Sequence, residues 1–176
     1  ESDRLNEIIN DILYLDKLET GIIQLNIQKN NIVETYHKAL KPIQHLIQQK
    51  NIHHSEIDLL NQKEYGYDEA RMIQVFQNIL GNAYKFTDES GMIQTKFIEK
   101  DGQLNISIFN TGKKIPEEDI ELIFDKFYQS KNQNIRKPIG TGLGLAICKK
   151  IIEAHKGEIS AENKEIGVVF NIKLNS

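Results

Sequence analysis

From Met92 to Ile98 and again from Leu104 to Phe109 the sequence reads as two strands, with Asp101-Gly102 between them. Asp-Gly favours a turn with positive φ at both central residues, whose twist matches two antiparallel strands. A hairpin here commits the chain to an antiparallel sheet. The alternation of Leu104, Ile106 and Ile108 commits one face of that sheet to a core. Period two then carries Asn110 onto the same inward face. A carboxamide arriving at a core face where a strand ends needs a partner, and Gly112 lets a backbone or a ligand approach closely. Two readings of "IFNTGKKIPEED", Ile108 to Asp119, stay open on these residues alone. It is a turn in which Asn110 caps its own backbone, or it is one wall of a site.

The 176 residues suffice for one domain with a sizeable core and an appendage, and 39% apolar with 27% charged residues is ordinary for a globular chain. A net charge of -3 gives no general attraction to nucleic acid or anionic lipid, so neither is expected as a partner. The single cysteine, Cys148, excludes a disulfide framework and fits a reducing compartment. No apolar run approaches the ~20 residues of a membrane span, so no direct membrane contact is expected.

Leu5, Ile8, Ile12 and Leu15 follow helical spacing from the first residues, with Ile9, Leu13 and Leu18 alongside. That stripe either packs on its own domain or continues an upstream coiled coil or bundle helix. The second reading is favoured, because the pattern starts uncapped at Glu1, and the chain reads as a piece of a longer protein. Gly21 stops this helix, and Ile23, Leu25 and Ile27 alternate as a short strand. Asn30 and Asn31 can cap a helix to about Gln49, kinked at Pro42. Ile52 to Leu59 is a further strand, and Asp68 caps a helix reaching about Phe86. Glu117 to Tyr128 reads as a short amphipathic helix. The polar stretch Gln129 to Ile139, with Lys131, Arg136 and Lys137 in and beside it, has the length of a lid. Leu143 to Lys156 is helical and C-capped by Gly157, and Glu158 to Ala161 with Val168 to Leu174 close the chain as a strand pair. Helices and strands without regular β-α alternation give an α+β class, helices on one face of a largely antiparallel sheet.

Three features carry chemistry. In "DEARMIQVFQNILGNAYKFT", Met72, Val75, Phe76, Ile79, Leu80 and Ala83 make a buried face, while Asn78, Asn82 and Lys85 share a second. Asparagine is a poor helix former. Two carboxamides and an ammonium in register suit a hydrated magnesium ion and a phosphate better than plain solvent. The second feature is Asn110 and its glycine. The third is "GTGLGLAICKK", where Gly140, Gly142 and Gly144 lead into a helix start, whose bare N–H groups form an anion site. Its spacing is neither that of a dinucleotide fingerprint nor that of a P-loop.

In this order and spacing the three features resemble the catalytic ATP-binding domain of sensor histidine kinases, in the superfamily shared with gyrase, Hsp90-type chaperones and MutL. "NILGNAYKFT" is similar to the family's N box, "NTGKKI" occupies the first glycine box, "IFDKFYQ" resembles the F box, and "GTGLGLAICKKIIEAHKG" matches the second glycine box. "RLNEIINDILYLDKLETG" resembles the end of the second helix of the dimerisation and phosphoacceptor domain. The resemblance implies a boundary near residue 21, with 1–21 the end of that helix and 22–176 the catalytic domain. It implies a two-layer α/β sandwich of the Bergerat type, a mixed sheet of about five strands with three helices on one face.

It further implies ATP as ligand with Mg2+. Asn82 would coordinate the metal with Asn78 beside it, and Lys85 would contact phosphate. Phe86 and Ile115 would line the base, and Asn110, beside Gly112, would receive the adenine amino group. Gly140, Thr141, Gly142 and Gly144 would wrap the phosphates with Arg136 from the lid, and Leu143 and Leu145 would shape the pocket. The implied partners are the chain's own upstream phosphoacceptor domain, a second copy in the full-length parent, and a response regulator. The implied location is the cytoplasm, as part of a membrane-anchored parent.

Hydrolysing members of the superfamily carry a glutamate one turn before the metal asparagine. Here that position is Asn78, which cannot act as a base at neutral pH. None of His37, His45, His53, His54 and His155 lies in a phosphoacceptor context, so transfer to a histidine outside this chain is expected, with no catalytic residue of that kind within it. The sequence departs from the family at Asn110, typically aspartate, at Lys114, typically glycine, and at Val168, often threonine or serine. Those changes motivate two rival expectations: a degenerate nucleotide-binding domain serving regulation or dimerisation and, disfavoured by Asn78, a hydrolysing ATPase.

Overall fold

The hairpin forms as its alternation requires. In the computed structural model, which describes residues 2–129 and 141–175, β4 (Met92–Lys100) and β5 (Gln103–Thr111) pair around Asp101 and Gly102, at φ 55° and 72°. β5 is the central strand. Its other edge takes β7 (Gly167–Asn175), which pairs in turn with β6 (Glu158–Lys164), all antiparallel. β2 (His53–Leu59) adds to the free edge of β4 in parallel, giving a mixed five-stranded sheet in the order β2-β4-β5-β7-β6.

One face of this sheet is apolar: Ile93, Phe97, Leu104, Ile106, Ile108, Phe170, Ile172 and Leu174 are all buried. Three helices cover it. α2 (Ile32–Leu40) contributes Ile32, Tyr36 and Leu40. α4 (Glu69–Phe86) contributes Met72, Val75, Phe76, Ile79 and Leu80, and α5 (Gly144–Ala154) contributes Ile147, Ile151 and Ile152. The ring of Tyr36 meets Phe76 and Phe97 edge-on at 5.5 and 5.4 Å, and its hydroxyl bonds Thr95 Oγ1 at 2.7 Å and His54 Nε2 at 2.9 Å. Burial pushes that phenol well above its ordinary pKa, so it stays protonated.

His155 buckles α4 to α5. Its Nδ1 donates to the Ile151 carbonyl (2.8 Å), and its Nε2 accepts the Asp68 N–H (3.0 Å). Asp68 is the α4 N-cap, accepting from Arg71 N.

Asn31 caps α2 as its sequence suggests. The helical stretch then runs through a 3-10 turn at Lys41–Ile43, where Pro42 falls, into α3 (Gln44–Gln49). Three expectations need correction, and one strand pair was not expected. Ile23 to Ile27 is not a strand: the Asn26 N–H donates to Asp68 Oδ2 at 2.9 Å, so a side chain ties this segment instead of a ladder. The strand lies just after it, β1 (Gln28–Asn31), and pairs with β3 (Glu64–Tyr67), which the sequence reading missed.

Glu117 to Tyr128 is not one helix. It makes two 3-10 turns, at Glu117–Asp119 and Leu122–Phe124, after which Asp125 is extended (ψ 150°) and Phe127 takes φ 60°, so the helical backbone does not continue. The left-handed residue ending α5 is Lys156 (φ 57°), not Gly157. Gly157 is required because a Cβ there would run into the Lys173 carbonyl.

α1 (Ser2–Glu19) divides its apolar stripe. Leu15 is buried and Tyr14 and Leu18 pack against the core, whereas Leu5, Ile9, Ile12 and Leu13 are exposed. Arg71 of α4 lies over the Tyr14 ring at 4.9 Å, and Glu19 pairs with Lys126 at 2.7 Å, which holds the Glu19 carboxyl below its usual range. No helix among the described residues is long and apolar enough to cross a membrane.

Candidate functional site

A cleft of about 580 Å³ opens between α4, the start of α5 and the end of the central strand, within the size range of small-molecule sites. The 3.6-residue period places Asn78, Asn82 and Lys85 of α4 along one wall, with Phe86 at its end. Asn78 and Asn82 are half-buried and Lys85 is exposed. Gly144 faces this wall from the first turn of α5, where a Cβ would lie 2.9 Å from Asn78 Oδ1. Its lack of a side chain therefore lets the two helices approach, in addition to any role in anion binding.

The opposite wall is where the core face of the sheet runs out. Asn110 is buried, lines the cleft, and stands opposite Val168 in the β5–β7 register. Its Nδ2 donates to the Thr111 carbonyl at 3.0 Å. Flipping the amide would set oxygen against oxygen, so Oδ1, an acceptor, is the half left for a ligand. The two readings of this segment thus meet: Asn110 bonds its own backbone and still walls the site.

Gly112 (φ 139°) does not line the cleft. It packs where a Cβ would meet the Phe86 carbonyl, and its N–H donates to Ile166 O at 3.1 Å. Gly167 is needed for the same kind of approach, against the Asn110 carbonyl.

Lys113, Lys114, Ile115 and Pro116 form the third wall. Lys114 does not have a positive φ, so lysine in place of glycine is unstrained there and adds a cation to the rim. Thr141, Gly142 and Leu145 join Gly144 at the α5 end, and the Gly142 carbonyl (φ 74°) accepts from Phe127 N–H at 2.9 Å. Leu143 is wholly buried and acts as core beneath the cleft. Arg136, Gly140 and the lid stretch around Lys131 and Lys137 lie outside the described residues.

Sequence reasoning missed several lining residues. Glu7 and Asp11 of α1 reach the cleft, and Thr141 Oγ1 donates to Asp11 Oδ2 at 3.0 Å. Their helical spacing was visible, but assigning α1 to a separate domain hid its contact. Ile123, Tyr128, Ile147 and Phe170 also line the cleft, with Gln74, Gln77 and Gln129. A hydrogen bond to the Asp119 carboxylate raises the Tyr128 phenol to about 12. Burial pushes Cys148, behind the α4 wall, up to about 12, which leaves it an inert apolar side chain.

Among the described residues no group of three His, Cys, Asp or Glu side chains could hold a metal. The donor set is instead two neutral carboxamide oxygens. Such a set suits a hard divalent cation that keeps waters and takes other ligands from phosphate. Neither asparagine can remove a proton from water at neutral pH.

A family model described as "Histidine kinase-, DNA gyrase B-, and HSP90-like ATPase" matches residues 67–176. The chain is 32% identical over 169 residues to the sensor histidine kinase WalK of Bacillus subtilis, an alignment covering 94% of this chain and 27% of WalK. It spans less than half the length of the curated relatives it matches first. Among solved structures it resembles the catalytic domain of the histidine kinase ThkA with a TM-score of 0.76 and 32% identity, over 85% of this chain and 95% of that one. A longer ThkA chain, solved with the response regulator TrrA, gives 0.81 at 30% identity over 99% and 48%. Full-length ShkA in complex with AMPPNP gives 0.85 at 25% identity over 98% and 36%.

Proposed function

We propose a function from one premise: this chain belongs to the histidine kinase-, DNA gyrase B- and HSP90-like ATPase family, and is a catalytic ATP-binding domain of histidine kinases. In our reading it binds Mg-ATP and donates the γ-phosphoryl to a histidine on the dimerisation domain of the longer protein, for relay to a response-regulator aspartate. Residues 1–21 are then the end of a dimerisation helix and 22–176 the catalytic domain. The parent works as a cytoplasmic homodimer held to the membrane by other segments. The solved complexes of ThkA with a response regulator and of ShkA with AMPPNP support the partner and the nucleotide.

The observation that carries this reading is the single cleft that sets Asn78, Asn82 and Lys85 across from Asn110, with the N-terminus of α5 closing one end. Asn110 Oδ1 accepts from the adenine amino group, and Phe86, Ile115 and Val168 enclose the base. Lys85 and the first N–H groups of α5 meet the phosphates, where a helix start favours negative charge. Asn82 with Asn78 holds Mg2+, which supplies charge neutralisation at the phosphate oxygens when bound. With Asn78 where a base would activate water, the chain positions the phosphoryl group for an external nucleophile and leaves water unassisted.

Calorimetric titration with Mg-AMPPNP tests this reading. Binding in the micromolar to millimolar range is expected, and neither heat nor thermal shift at millimolar nucleotide makes the domain a degenerate module instead. Multiple-turnover phosphate release from ATP, abolished by Asn78→Ala, would establish the hydrolase.

A further inference from the structure

We infer that Asn163, on β6 and outside the cleft lining, is a positioning residue for the nucleotide base, acting through Ile115. This inference rests on the reading of the cleft as a nucleotide site. Asn163 Oδ1 accepts the Ile115 N–H at 2.9 Å, and its Nδ2 donates to the Ile115 carbonyl at 2.7 Å and to Glu117 Oε1 at 3.0 Å. One carboxamide thus grips both backbone groups of a residue 48 positions away, and spends its second N–H on the carboxylate that begins the next turn. The amide orientation is unique, because a flip would set donor against donor and oxygen against two oxygens.

The grip matters because of where its two ends sit. Asn163 stands opposite Val168, and Val168 opposite Asn110, so the three form one row across β6, β7 and β5. Two members of the row line the cleft directly, and the third reaches it by fixing Ile115, which lines the facing wall. The loop carrying Ile115 has no strand partner, since β5 ends at Thr111 and the next 3-10 turn begins at Glu117. Without Asn163 the distance between the Ile115 wall and the Asn110–Val168 wall is held less tightly, and a flat base between them loses fit. Backbone bonds leave the identity of the side chain at 115 free, so the device sets position independently of which apolar residue packs on the base.

Asn163→Asp is the discriminating substitution. The introduced carboxylate keeps the acceptor for Ile115 N–H but faces the Ile115 carbonyl and Glu117 without a proton to offer. Mg-AMPPNP affinity, measured by calorimetry at about pH 8, is expected to fall about tenfold, the scale of one half-buried polar group left unsatisfied. Lowering the pH to about 5.5 protonates the crowded carboxyl pair, restores a donor, and narrows the gap to the parent protein. In an Ile115→Ala background the same substitution should change affinity less than twofold, or about twofold at most, whereas beside Lys85→Ala its effect should persist in full.

Equal losses in both backgrounds, or a pH-independent loss, would mean general destabilisation and overturn the inference. An unchanged affinity would overturn it too. If Asn163→Asp does not fold, Asn163→Ser, which can donate only one of the three bonds, must show the same loss in the parent and its absence beside Ile115→Ala. If the unsubstituted protein binds no Mg-AMPPNP, the nucleotide reading itself fails. Binding that ignores residue 163 sinks only the role given to Asn163.

Discussion

In the proposed nucleotide site, Asn110 would offer a neutral amide where a carboxylate would bind more strongly, but where an unliganded carboxylate would be costly. Its Nδ2 bond to the Thr111 carbonyl exists only because the residue is an amide. Asn110→Asp should therefore divide its effects. Mg-AMPPNP binding tightens by about tenfold, since a hydrogen bond to a charged acceptor is worth about 1–2 kcal/mol more. The ligand-free protein melts lower, because a buried charge replaces a donor. Paired calorimetry and melting curves check both, and weaker binding would refute the acceptor role. Gly167→Ala drives a Cβ into the Asn110 carbonyl, and should lower the melting temperature and the affinity together. Periodicity made Asn78, Asn82 and Asn110 legible, because period 3.6 and period 2 each fix a face. Asn163 was not legible, since a lone polar residue in a short strand looks the same whether it meets solvent or grips a loop.

Among the elements, β2 and α1 each carry a titration or a contact that can be tested. His54 on β2 lies between Tyr36 and the β2 surface, where burial outweighs Glu56 and holds its imidazole below the ordinary pKa of 6.5. His37 and His53 add to that lowering. A histidine whose folded pKa is depressed binds its proton more readily unfolded, so its contribution is intact above pH 6.5 and is lost as pH falls through the lower folded value. The melting temperature should decline more steeply below pH 6.5 in the parent than in His54→Gln. An equal slope would assign the acid sensitivity elsewhere.

On α1, the Asp11 carboxylate occupies the Thr141 hydroxyl at the end of the cleft assigned to phosphate. Asp11→Ala should tighten Mg-AMPPNP by a few-fold, since it removes a like charge from an anion site, with high salt shrinking the difference. The hairpin, α4 and α5 were readable because each carries a long periodic pattern, sharpened at the hairpin by its Asp-Gly turn and at α4 by the Asp68 cap. Ile23–Ile27 and Glu117–Tyr128 misled because a short periodic run takes its structure from what ties it, here Asp68 in one case and the turned backbone at Asp125 and Phe127 in the other.

For the molecule as a whole, ligand and fold are linked through mass action. Mg-AMPPNP at about 100 times its dissociation constant should stabilise the domain by about 2.7 kcal/mol, seen as a concentration-dependent rise in melting temperature that is lost in Asn82→Ala. The α+β class and the helix-covered sheet were legible from the order of elements. The parallel pairing of β2, itself legible as a strand, and the β1–β3 ribbon were not, because pairing between distant segments leaves no local signature.

That pairing also sets a sequence of events. β4 and β5 are joined by a two-residue turn and can zip on the microsecond scale of hairpins, whereas β7 reaches β5 only after the intervening chain has closed a loop of over 50 residues. Asn110 acquires its partner Val168 in that late step. A chain caught with β7 undocked would have a nearly complete asparagine helix and no base wall. Nucleotide affinity would then report whether the C-terminal strand has arrived.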